Sequence, residues 1–375
     1  MGPSAGQTRI RPANRDREKL MKKFTRAAIA AAIAASLAGP FVALAQTGNP
    51  GGAINDNLGE MDYGVCRGTN PVCYHDWKRN PTTQYRVLLF THTAGPRHAD
   101  IGKALGPGMN PPLDASNVAQ AAMLKIAADN GWHMDYTEDL SQMTSLDSYN
   151  AVIFFSTSRD NLDDNAKTAL RQYMRAGGGF VAIHNAFGTL YNWPYYEGLL
   201  GGANYYNHGP ERHGDVVVVN RTDASTRDLP AKFAFKDEWY NLIPFPTHVR
   251  FLATVDEKSW DPAEARGGRG EGPSPGAGGP PDGAPVGAPP GASRGGRGGP
   301  PRAPSVVGEM PGHGSFHPVA WCQYYDGGKA WMTTLGHDAG DFTNDDTVFP
   351  GSVEFRKLIV GGIKSVMGAE PFCRG

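Results

Sequence analysis

Short apolar runs alternate with helical patterns through the middle of the chain. Residues 85–90, apolar and β-branched, suit a buried strand, and 118–129 has helical spacing, with Ser116 placed to cap it and Asn130-Gly131 to stop it. Two further strand-like runs follow at 132–136 and 151–155. Between 162 and 176, Leu162, Ala166, Ala169, Leu170, Tyr173 and Met174 share one helical face. Asp163 and Asp164 favour its start and Gly177 its stop. Residues 180–183 read as the next strand. Strands separated by helices of ten or more residues need crossovers, so the pattern predicts an α/β fold with a doubly wound, mostly parallel sheet.

The second half is less regular. Runs at 216–219, 251–255, 319–325 and 330–334 read as strands, and 353–366 as a closing helix. Tyr325-Asp326-Gly327-Gly328-Lys329 is a hairpin signal, which predicts an antiparallel extension beside the parallel core.

Composition trims this body at two places. Lys22, Lys23 and Arg26 precede an apolar run at 27–37, and Ala43-Leu44-Ala45 offers a small-residue cleavage site, so 1–45 reads as an upstream extension and signal peptide. The run is short and broken by Gly39-Pro40, which argues against a membrane anchor and for an exported product, periplasmic or secreted, with 46–84 as its leader. Residues 261–304 are nearly all Gly, Pro, Ala, Ser and Arg, with too few large apolar groups to offset the entropy of ordering. They are expected to be a disordered insertion in a single domain at 85–368, followed by a tail at 369–375. A formal net charge of -1 provides no basic field for nucleic acid. In an oxidising compartment Cys66 and Cys73 are close enough to pair locally, while Cys322 inside a strand reads equally as a bridge or a buried thiol, leaving Cys373 open.

Chemistry enters with histidine. His98, His184, His208, His317 and His337 each sit beside a short apolar run. Ligands of open α/β sheets collect outside the carboxyl ends of the strands. The loops 91–98, 156–160, 184–185 and 336–338 all follow strands, and so are expected to open on one edge.

The motifs Thr93-Ala94-Gly95-Pro96-Arg97-His98, Gly178-Gly179-Phe180-Val181-Ala182-Ile183-His184, Asp237-Glu238-Trp239-Tyr240, His317-Pro318-Val319-Ala320-Trp321 and Leu335-Gly336-His337 resemble those of ThuA-like (trehalose utilisation) proteins, in order, from about 85 to 367. The resemblance implies a flavodoxin-like sheet of the class I glutamine amidotransferase type, and a role in the use of a disaccharide or its oxidised keto form. Those amidotransferases hold a nucleophilic cysteine at a strained strand-to-helix turn. That turn here carries His184-Asn185-Ala186 with no cysteine near, so glutaminase chemistry is disfavoured. Pro96 departs from the aromatic residue common at its place, which leaves the conformation of that loop open.

The candidate catalytic residues are His184, Glu238, His98 and His337, with Arg97, Asn185, Trp193, Asp237, Tyr240 and His317 expected to bind substrate, and Tyr195 and Trp239 as further flat faces for a sugar ring. His98, His184, His208, His317 and His337 are the candidate ligands of a divalent metal ion. Two routes stay open: a metal that polarises a carbonyl or water, or metal-free acid and base work by His184 and Glu238. Hydrolysis, elimination or isomerisation would follow from either, and a non-catalytic sugar-binding module is the alternative. The expected partner is a small carbohydrate, with no nucleic acid and no membrane anchor after cleavage.

Overall fold

A computed structural model describes Gly2 and residues 60–77, 84–260, 264 and 312–375. All but Gly2 belong to the compact unit Ile54–Gly375. The expected signal segment and nearly all of 261–304 lie outside the described residues.

Thirteen strands are described, from β1 (Glu60–Asp62) and β2 (Val65–Gly68) through β3 (Arg86–Phe90), β4 (His133–Thr137), β5 (Ala151–Phe155) and β6 (Gly179–Ile183). After these come β7 (Tyr205–His208), β8 (Arg212–Val218), β9 (Lys232–Asp237), β10 (Tyr240–Leu242), β11 (Arg250–Asp256), β12 (His317–Tyr325) and β13 (Gly328–Thr333). The helices are α1 (Val118–Asp129), α2 (Asp164–Arg175), α3 (Pro194–Leu199) and α4 (Ser352–Met367). The main sheet runs β4-β3-β5-β6-β13-β12-β11-β8-β9. Its first five members are parallel and the rest antiparallel. This is the expected doubly wound sheet with its extension.

Alternation along each parallel strand builds two cores. Val87, Leu89, Ile153, Phe155, Val181 and Ile183 pack under α1 and α4 with Met123, Ile126, Leu358 and Ile359. Leu88, Phe90, Val152, Phe154, Phe180 and Ala182 face the other way, against Leu170, Tyr173, Tyr196 and Leu199 of α2 and α3. Both faces are apolar because both are covered, as parallel strands require. Helix α2 starts as expected, with the Asp163 carboxylate accepting the Ala166 amide at 2.8 Å. Helix α1 does not: its cap is Asn117, without a side-chain cap bond, and the Ser116 hydroxyl is bonded to Asp114 instead.

The hairpin between β12 and β13 turns through Asp326 and Gly327, both at positive φ (46° and 93°), the two-residue geometry that matches strand twist. Strand β9 was not among the expected elements, although in Lys232-Phe233-Ala234-Phe235-Lys236 large apolar residues alternate with small or charged ones and both phenylalanines are buried. Its place matters, because β9 runs parallel to β13 and so also ends on the edge where the parallel strands end. Four inter-strand spacings separate the two strands, about 20 Å in a flat sheet. Yet the Asp237 carboxylate at the end of β9 accepts the Gly336 amide just past β13 at 2.9 Å. The antiparallel half therefore curls back over the carboxyl edge, with register shifts between β11 and β12 that bend the sheet.

All four cysteines are paired, as Cys66–Cys73 and Cys322–Cys373. The second bridge resolves the open reading of Cys322 and ties the carboxyl-terminal segment to β12. In the loop-entropy account, removing a 51-residue closure costs about 4 kcal/mol and a 7-residue closure about 2 kcal/mol. Urea denaturation of the double variant Cys322→Ser/Cys373→Ser should therefore show a larger loss than Cys66→Ser/Cys73→Ser; the reverse order would contradict this ranking.

Candidate functional site

Four loops from the carboxyl edge converge on one point. His98 follows β3 on a loop held by Arg97, whose guanidinium bonds the Glu138 carboxylate at 2.7 and 3.1 Å and the carbonyls of Ile101, Gly102 and Lys103. The same loop is tied to the one after β5 by the Ala94 amide, which donates to the Ser158 carbonyl at 3.0 Å. His98 stands at the start of a 3-10 turn but makes no cap bond with its ring.

His184 is the first residue past β6 and takes φ 52°, in the left-handed region, before the turn His184–Gly188. A non-glycine residue there costs about 1–3 kcal/mol and persists only where packing enforces it. The enforcing contact is the Thr334 carbonyl, which can only accept, so His184 Nδ1–H donates to it at 2.9 Å. Nε2 is left with the lone pair. It faces the site and accepts the Tyr240 hydroxyl at 2.8 Å. His337 follows Gly336, whose φ of 119° excludes other residues. Glu238 is delivered by the end of β9, and His208 by the two-stranded ribbon in which it pairs with Tyr240.

The distances define a small centre. His337 Nδ1 lies 3.2 Å from Glu238 Oε2 and 3.4 Å from His184 Nε2. His98 Nε2 and His184 Nε2 are each 3.9 Å from Glu238 Oε2. One ligand atom from each of His98, His184, Glu238 and His337 falls within 4.8 Å of all the others. His208 Nε2 stands at the margin, 3.6 Å from Glu238 Oε1. His184 is fully buried, whereas the side chains of His337 and Glu238 are 25% and 16% exposed, so the centre is reached from solvent on that side.

Burial lowers the proton affinity of His98, and of His184 much further, with neighbouring imidazoles adding to the second. Burial would raise Glu238, but the neighbouring imidazoles of His337 and His98 outweigh that and hold the carboxyl below its ordinary range. Burial likewise opposes the charge on His337, yet the Glu238 carboxylate pushes it up to about 9. Deeper in, burial raises Asp237 and Asp341 well above the carboxylate range and Asp100 to about 7.

Several residues expected to bind substrate do other work. Arg97 is committed to Glu138 and the loop carbonyls. Asp237 is buried, its two oxygens accepting the Glu238 and Gly336 amides, and thus positions the loop ends that carry Glu238 and His337. Trp239 is a core side chain whose indole N–H donates to the Arg212 carbonyl. Trp193 stacks on Tyr195 at 5.1 Å, and Tyr195 bonds Asp326 in the β12–β13 turn, at the end of the strands remote from His184. Asn185 is buried, and its Nδ2 has no hydrogen-bond partner among the described residues.

His317 leaves both the substrate and the metal set. Its Nε2–H donates to the Tyr240 carbonyl at 2.9 Å and its Nδ1–H to Glu257 Oε1 at 2.8 Å. Both neighbours are acceptors, so each ring nitrogen is engaged away from the centre. His313 and His317 stand in an H-x-x-x-H spacing that sequence reasoning passed over, as it did Glu257. In the fold that spacing is structural: His313 Nε2 accepts the Leu242 amide, and Glu257 also accepts the amides of His313 and Gly314. This network holds the backbone of Tyr240, whose hydroxyl touches His184. Replacing His317 with alanine leaves a buried carbonyl and a carboxylate short of a donor, and should lower the urea-unfolding free energy by about 3 kcal/mol. A loss within the range of surface substitutions, about 0.5 kcal/mol, would refute that role.

The sequence model of the trehalose utilisation family, ThuA, matches residues 86–364. Solved structures that resemble the chain include ThuA-like proteins from Bacteroides uniformis (20% identity, 77% of this chain and 94% of that one, TM-score 0.49) and Parabacteroides merdae (14%, 77% and 91%, 0.48). A glutamine amidotransferase from Thermotoga maritima matches at 10% identity over 76% of this chain and 99% of its own, with a TM-score of 0.37. Comparison with curated proteins finds no match. Because the family model spans the described strands from β3 to β13 and most of α4, and with them every member of the four-residue centre, the chain belongs to the ThuA family.

Proposed function

We propose that this protein is a carbohydrate-acting enzyme whose reactive centre is His98, His184, Glu238 and His337, working on a disaccharide such as trehalose or on its oxidised keto form. The observation that carries the reading is the convergence of these four groups, from four separate loops, within 4.8 Å at the carboxyl edge. Left-handed backbone at His184 and a curled-back β9 are both needed to assemble it. Recognition of a neutral sugar would not need that expense, since hydroxyl groups are bound by ordinary donors and acceptors. The family description, trehalose utilisation, supports the substrate class.

The reaction is not that of a glutaminase. Every cysteine of the chain is in a disulfide, so no thiolate is available, and the turn that would carry one carries His184. The groups present suit proton transfer beside a sugar carbonyl, or polarisation of that carbonyl, leading to hydrolysis, elimination or isomerisation. Purified protein should convert trehalose, its 3-keto derivative or a related glycoside to products visible by NMR. His184→Asn, which tolerates left-handed backbone, and Glu238→Gln should each lower kcat/KM by about 100-fold or more while the circular dichroism spectrum is kept. Wild-type protein that binds these sugars without product would instead establish a sugar-binding module.

We further propose export. Two disulfides support an oxidising compartment, and the basic and apolar residues at 22–45 support a cleaved leader. Among the described residues no helix is long and apolar enough to cross a membrane. Amino-terminal sequencing of protein recovered from the producing cell should begin at Gln46; a chain that retains 22–45 would contradict cleavage there.

A further inference from the structure

We infer that His98, His184, Glu238 and His337 together bind one divalent transition-metal ion of the zinc class. The inference deepens the carbohydrate reading and rests on it only for the importance of this centre; the metal chemistry stands on geometry alone.

The first argument is spacing. The contacts His337 Nδ1–Glu238 Oε2, His184 Nε2–His337 Nδ1, His98 Nε2–Glu238 Oε2 and His184 Nε2–Glu238 Oε2 are 3.2, 3.4, 3.9 and 3.9 Å. All but the first exceed the usual N–H···O range. Two ligands at metal distances of about 2.0–2.1 Å in a tetrahedron lie about 3.3 Å apart. The groups are thus spaced as an expanded coordination shell, all within 4.8 Å of one another, in which only the His337–Glu238 contact has the length of a good hydrogen bond.

The second argument counts protons. His184 Nδ1–H is committed to the Thr334 carbonyl, so its Nε2 presents a lone pair to the centre. His208 repeats the arrangement: Nδ1–H donates to the Gly209 carbonyl at 2.6 Å, and Nε2 faces Glu238 Oε1. The His184 lone pair, met at 2.8 Å by the Tyr240 hydroxyl, and the Glu238 carboxylate therefore share one small space. His337 Nδ1 stands 3.2 Å from Glu238 and 3.4 Å from His184, and the buried Nδ1 of His98 has no hydrogen-bond partner among the described residues. A cation at that point would bring these nitrogens and the carboxylate under one set of bonds, taking the place of the Tyr240 hydroxyl at His184.

Ligand chemistry selects the ion. Three imidazoles and one carboxylate suit zinc and its first-row neighbours, whereas magnesium and calcium require mainly oxygen. The carbonyl of Thr334 fixes the ring of His184 in the manner of an outer-sphere partner, setting its tautomer for ligation through Nε2. Asp237, bonded to the amides of Glu238 and Gly336, does the same for the loops bearing two of the ligands.

The test uses full-length protein purified without a histidine tag. Metal content is measured as isolated and after dialysis against a chelator, followed by calorimetric titration with zinc, cobalt and magnesium chlorides. One equivalent of zinc or cobalt is expected, with a visible cobalt spectrum of nitrogen-ligated type, and no comparable uptake of magnesium. His337→Ala and His98→Ala should each weaken zinc binding at least tenfold, whereas His213→Ala, at an exposed histidine bonded to Glu264, should leave it unchanged. Substoichiometric binding by folded wild-type protein, or affinity unaffected by both cluster variants, would overturn the assignment. Sugar turnover that survives complete metal removal overturns a catalytic metal and spares the carbohydrate reading; stoichiometric zinc without turnover of any sugar does the opposite.

Discussion

Asp237 holds two amides, its neighbour Glu238 and the distant Gly336, and that buried carboxyl joins halves of the sheet that topology sets far apart. Its bond to the Gly336 amide is the buried one of two short polar contacts between the end of β9 and the segment past β13, the other being Glu238 with His337 at 3.2 Å. With it, Glu238 arrives among imidazoles carried by the parallel strands, and His337 is set on the other side of the same bond. A buried carboxyl is costly unless its oxygens are satisfied, and here backbone donors satisfy both.

Around that join the molecule layers its histidines by task. His184 has one nitrogen tied to a carbonyl and the other turned to the centre. His317, one layer behind, has both nitrogens tied and serves as a peg between Glu257 and the Tyr240 backbone. The two side chains are both fully buried, so burial does not separate them. What separates them is whether a nitrogen is left without an acceptor to donate to, and this decides which can act on a ligand.

The rim site is assembled without a cysteine: its four members are three imidazoles and a carboxylate. The left-handed turn after β6 carries His184, while the four cysteines form bridges that tie β2 to the 3-10 turn after it, and β12 to the carboxyl-terminal segment. Presentation of a side chain by a left-handed residue is a property of the backbone; the chemistry placed on it is free to change.

Much of the fold was legible in the chain. The alternation of apolar strands with helices predicted the parallel core, because a strand covered on both faces must be apolar throughout, and the Asp-Gly step predicted the hairpin, because few residues accept two successive positive φ angles. The grouping of His98, His184 and His337 also followed, since all three sit just past parallel strands. The sequence by itself thus determined the parallel core, its carboxyl edge and that His98, His184 and His337 lie along it, all consequences of local periodicity. Only the tertiary structure decided that His317 is a peg, that Arg97 and Asp237 brace loops, that Cys322 meets Cys373, and that Glu238 reaches the imidazoles. Those outcomes depend on how far the antiparallel half curls and on which acceptor each side chain finds there, and neither is encoded in the spacing of residues along a single strand or helix.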